Sequence, residues 1–139
     1  MRFLPMVVAG LLAACTAASQ TSDPEVLIRI TNAGAAPLQC RVKFGHWVDR
    51  DLGPVTTNQV SVTVRQQPKD GALYVMREDG QRLMMVENIF CAQKDNWQAT
   101  VGQMDLAVVR RARPKEVSVS CALPEAGGRV SCAELKLIH

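Results

Sequence analysis

Aromatic side chains are scarce in this chain: two tryptophans, one tyrosine and three phenylalanines among 139 residues. A domain this small has little aromatic area to bury, so its stability must draw on something besides a large core. Long hydrophobic runs are lacking too. The longest apolar stretch, residues 3–12, covers about half of the roughly 20 positions that a membrane-spanning helix needs. Charge of one sign is not in excess, with sixteen Lys and Arg against thirteen Asp and Glu and a net charge of +3. That balance excludes the clustered basic face by which nucleic acid is held. No C-x-x-C or C-x-x-H spacing exists to support a zinc site. No Gly-x-Ser-x-Gly frame is present to carry a hydrolytic nucleophile.

What the amino terminus does have is an address. Arg2 precedes the apolar run, and Leu12-Ala13-Ala14-Cys15 closes it. A charged start followed by a short apolar centre reads as a signal peptide, which takes no part in the fold. Leu12-Ala13-Ala14-Cys15 resembles the lipobox of bacterial lipoproteins, with Leu three residues before Cys and small residues between. The resemblance implies cleavage before Cys15, acylation of its thiol and of the new amino terminus, and anchoring through those lipids. Thr16 after the cysteine, where inner-membrane lipoproteins carry Asp, implies the periplasmic face of the outer membrane. Ordinary cleavage after Leu12-Ala13-Ala14 is the alternative. Residues 1–14 are thus the expected signal peptide, 15–24 the lipidated cysteine with a small-polar tether, and 25–139 one β domain.

With Cys15 given to the lipid, Cys40, Cys91, Cys121 and Cys132 remain. An even number in an exported chain implies disulfides, and four allow three pairings. Residues 117–123 alternate apolar and polar, as does the start of 129–132, with Pro124-Glu125-Ala126-Gly127-Gly128 between them. A hairpin with a four-residue loop sets Leu123 against Val130 and Cys121 opposite Cys132. Opposed residues of an antiparallel pair lie about 4.5–5.5 Å apart at Cα, within the span of a disulfide. The expected bridges are therefore Cys121–Cys132 and, by elimination, Cys40–Cys91. Loop entropy makes them worth about 3 and about 4 kcal/mol, in place of missing core.

Strands are expected at 26–31, 38–44, 59–67, 73–78, 81–90, 117–123 and from 129 onward. Leu38, Cys40, Val42 and Phe44 share one face, and Val60, Val62 and Val64 point inward. Residues 45–55 read as a connection. Asp79-Gly80 is a strong hairpin signal that sets Tyr74 opposite Met85 and Met76 opposite Leu83. By parity that face also carries Ile89 and Cys91, so it is the expected core face. Glu87 falls on it too, at a cost if unpaired. A bulge at Glu87-Asn88 is expected to re-aim it; burial with a cation or donors is the alternative. A second bulge is expected between Cys132 and Leu135, because Leu135 and Leu137 are out of parity with Cys132.

Trp97, Val101, Met104 and Val108 have helical spacing that Gly102 interrupts. Asp105 is the expected cap of a short helix over Leu106–Ala112, stopped by Pro114. The basic run at 110–115 then reads as a helix C-terminus whose arginines complement the dipole, with contact to anionic lipid or lipopolysaccharide as the alternative. The sum is an all-β domain: a small antiparallel β-sandwich or barrel of about seven strands, one short helix and two disulfides.

Candidate chemistry is thin. His46, Asp49 and Asp51, with Glu87 if it turns inward, could hold a metal ion or small ligand; the competing reading is a strand end and a solvated turn. Met76, Met84, Met85 and Met104, with His46 or His139, could offer thioether and imidazole ligands to Cu(I), but Met84 and Met85 point to opposite faces, and core filling is the usual role of Met. Exposed, Trp47 and Trp97 could stack on a sugar or peptidoglycan ring; with so few aromatics, they are expected in the core. No catalytic residue, cofactor or resident metal is expected. The chain reads as a lipid-anchored, non-enzymatic interaction or accessory module. It would meet the membrane through its lipid and another envelope protein through its sheet edges and residues 45–55. The alternative is a small-ligand or metal-binding lipoprotein.

Overall fold

The computed structural model describes residues 22–77, 79–80 and 82–139, with the side chains of His46 and Glu134 left aside. The expected signal peptide and Cys15 lie outside the described residues. The strands are β1 (Glu25–Asn32), β2 (Leu38–Phe44), β3 (Asp49–Val55), β4 (Val60–Gln66), β5 (Leu73–Met76), β6 (Leu83–Ala92), β7 (Gly102–Gln103), β8 (Glu116–Ala122) and β9 (Ser131–Ile138). Two short helices, α1 (Trp97–Thr100) and α2 (Leu106–Ala112), interrupt them. Among the described residues nine strands replace the expected seven, because β3 and β7 lie in stretches without clear alternation.

Neighbours run β3-β2-β6-β5-β4-β1-β8-β9, and β7 adds to β6. All ladders are antiparallel except β1 on β8, where Ile28 pairs with Val117 and Ile30 with Val119 in parallel. Strand β6 joins two layers. Its first residues pair β5, six of its last seven pair β2, and Phe90 and Cys91 pair β7. The path returns on itself where Met104, just after β7, bridges Cys132 of β9. All the described strands and both disulfides lie between residues 25 and 139 and pack around one hydrophobic cluster.

Both disulfides form as expected, between directly opposed residues: Cys40 with Cys91 and Cys121 with Cys132. The sulfurs of Cys91, Cys121 and Cys132 lie within 4.8 Å of one another. One bridge of each layer therefore meets the other inside the core. Gly102 explains the break in helical spacing before Met104. A Cβ there would collide with the backbone of Val130, whose amide donates to the Thr100 carbonyl at 2.7 Å. The chain turns into β7 at that close approach.

Helix α2 spans the expected residues. The Asp105 carboxylate accepts from the Ala107 amide at 3.0 Å, and Arg113 ends the helix in the left-handed region at φ 51°. The buried Gln66 amide donates to the carbonyls of Gly71, Val109 and Arg110 at 3.2–3.3 Å, closing the helix end.

Two bulges set which side chains face the core. Lys43 pairs Asn88 but Phe44 pairs Val86, so Glu87 is the extra residue in β6. Arg110 of α2 donates to the carbonyls of Val86 and Glu87 at 3.1 Å, serving the groups the bulge withdraws from the ladder. The second shift, Ser118 to Lys136 but Ser120 to Ala133, falls at 134–135 and turns Leu135 and Leu137 toward the core. Both bulges stand where parity required them.

The Asp79-Gly80 hairpin also has the expected register, Tyr74 opposite Met85 and Met76 opposite Leu83. Its orientation is the reverse of the expected one. Leu73, Val75 and Val86 are buried, while Leu83 and Met85 are 43% and 48% exposed. The Glu87 bulge is the reason: Ile89 and Cys91 beyond it are buried, and parity inverts across the extra residue.

Candidate functional site

Strand β2 ends in a tight reversal. Gly45–Trp47 forms a 3₁₀ turn, and the Phe44 amide donates to the Val48 carbonyl at 2.8 Å as the chain turns back into β3. The reversal places Trp47 at φ 65°, in the left-handed region that bulky side chains avoid. The expected core role fails here, because Trp47 is 88% exposed. Val48 beside it is 49% exposed. A large aromatic is thus held out in water on a strained backbone. Trp97 is also absent from the core cluster; it lies half-buried under the Arg41 guanidinium, 4.2 Å from the ring centre. Neither indole has an aliphatic strand pattern around it to draw it inward.

Between this crest and the β5–β6 hairpin lies a concavity of about 920 Å³. Val48, Leu83 and Met85 give it apolar walls, and Arg50, Arg77 and Arg82 stand around it. Trp47, Val48, Leu83 and Met85 are four of the five large hydrophobic side chains most exposed among the described residues. Their gathering at one end of β2 and β6 makes a patch rather than scattered exposure.

Residues 45–55, expected as a connection, are the 3₁₀ turn followed by edge strand β3. Asp49 pairs Lys43 in the β2–β3 ladder and is exposed. The Asp51 carboxylate is taken up locally, accepting from the Gln39 side-chain amide and, at 2.7 Å, from the Gly53 amide. Glu87 points out to an ion pair with Lys43 at 3.8 Å. His46 lies in the 3₁₀ turn, and its side chain is outside the described set. Among the described residues, three ligand-spaced His, Cys, Asp or Glu side chains meet only at Cys91, Cys121 and Cys132, whose sulfurs are already bonded as disulfides.

Strand β3 ends the sheet order, but its edge is guarded. Cys40 pairs Gly53 while Arg41 pairs Asp51, which leaves Leu52 as an extra residue, and Pro54 follows. A bulge and a proline are two devices that keep an edge from accepting a further strand. Contact at this end therefore falls to side chains. In the basic run at 110–115, Arg110 serves the Glu87 bulge and Arg113 donates to the Pro68 carbonyl, while Arg111 and Lys115 are exposed.

Arg50, Arg77, Arg82, Leu83 and Met85 have no chemical motif that marks them in the sequence. Carrying the Glu87 bulge back through the hairpin would have turned Leu83 and Met85 outward and exposed the groove. No protein-family model, curated protein or solved structure matches this chain.

Proposed function

We propose that the chain is a lipid-anchored envelope lipoprotein on the periplasmic face of the outer membrane. It acts there as a non-enzymatic module that binds another envelope protein. The contact surface is the Trp47–Val48 crest with the groove beside it. One observation carries the reading: exposed Val48, Leu83 and Met85 line a concavity next to the exposed Trp47, and Arg50, Arg77 and Arg82 outnumber Asp49 and Asp79 in its lining. Trp, Tyr, Met and Arg are the residues enriched at protein interfaces, and Trp, Tyr and Arg dominate their binding energy. A strained backbone under the most exposed of them supports the same view, since strain persists where function uses it.

The tether suits that role. Glu25 pairs Arg65, Arg65 pairs Tyr74 and Tyr74 pairs Met85, so the chain enters the domain three strands from the groove in one cross-strand row. Ten tether residues reach about 35 Å at most, which keeps the groove near the bilayer. The test is a photo-crosslinking residue at position 48 or 85 in cells, with Thr57 as control. A single adduct that forms from 48 and 85, is lost in Trp47→Ala and does not form from 57 is the expected result. Equal labelling from all three positions would refute it. Labelled fatty acid should enter the wild-type chain and not Cys15→Ser.

A further inference from the structure

On the far side of the crest from the groove, the outer face of β2 and β6 holds a second, smaller hollow of about 280 Å³. An indole stands at each end. Trp47 comes from the turn after β2, with the Lys43 ammonium 4.6 Å from its ring centre, and Trp97 comes from α1, with Arg41 stacked on it at 4.2 Å. Phe90, paired directly with Arg41, forms the floor, and Asp49 closes the side next to Lys43.

We infer that this hollow binds a neutral saccharide ring. The reasoning starts from charge. Lys43 is already paired with Glu87, and Asp49 adds a negative charge, so an anionic ligand gains little here. A lipid chain would meet three charged side chains in a small space. A ring with apolar C–H faces and hydroxyl edges satisfies both parts of the lining. Its faces pack on indole, and its hydroxyls donate to Asp49 and accept from Arg41 and Lys43. Arg41 is prepared for this. Stacking spends the face of a guanidinium and leaves its edge N–H groups free, and among the described residues no carboxylate lies within ion-pair distance of it.

This hollow shares Asp49 with the groove and Trp47 with the crest, but its test reads sugar binding alone and so stands or falls without the protein contact. Titration of residues 22–139 with chitotetraose and with maltotetraose, followed by tryptophan fluorescence and calorimetry, tests it. Saturable binding of at least one is expected, weakened about tenfold by Trp97→Ala and by Arg41→Gln and unchanged by Met85→Ala. Arg41→Gln keeps the test usable if loss of Trp97 disturbs α1, because Arg41 lies on the outer face. No saturation by either sugar up to about 10 mM would overturn the inference, as would binding that survives both substitutions or a preference for a hexuronate over both neutral chains.

Discussion

The two ends of β6 are built on opposite principles. At its C-terminal end, Cys91 is bonded to Cys40, lies against the Cys121–Cys132 bridge, and pairs Gly102 where β7 presses on Val130. At its N-terminal end, Leu83 and Met85 line a groove with the exposed Val48, next to Trp47. The same strand is stapled at one end and left apolar and open at the other. Stability is concentrated where covalent bonds supply it, which frees the other end to keep side chains that a small domain would otherwise draw into its core.

The contrast can be tested by substitution, and the stapled end should respond most. Replacing Cys40 and Cys91 together with Ala is expected to cost about 4 kcal/mol in urea unfolding, since that bridge closes the longer loop. Gly102→Ala should cost about 3 kcal/mol and lower the melting temperature, because a Cβ there meets the Val130 backbone and β7 must move off β6. In the open half, Val86→Ala should cost about 2 kcal/mol while Met85→Ala costs no more than about 0.5, since only the first side chain is buried. A larger cost at Met85 than at Val86 would place the hairpin the other way round. One further effect has the opposite sign. Trp47→Gly should raise stability by about 1 kcal/mol, by removing a bulky residue from the left-handed region, while abolishing the position-48 crosslink.

Much of the stapled end was legible in the sequence. Alternation on either side of Pro124-Glu125-Ala126-Gly127-Gly128 was enough to oppose Cys121 and Cys132, and parity called for a bulge before Leu135. Helix α2 followed from Asp105 and Pro114 because caps and breakers act locally. The parallel pairing of β1 with β8 left no local trace, since it joins residues about 90 positions apart. At the open end, the hairpin register was readable from Asp79-Gly80, but its inward face depended on one extra residue several positions away. Trp47 was misplaced for a related reason: its exposure comes from a reversal that hydrophobic periodicity does not encode.

That extra residue, Glu87, makes β6 sensitive to length in an unusual way. Deleting it would restore strict alternation through the strand and turn the hairpin inside out, carrying Leu83 and Met85 inward and Val75 toward solvent. The groove would vanish although every residue lining it remained. Lineages of this chain should therefore tolerate changes of side chain around position 87 far better than changes in spacing.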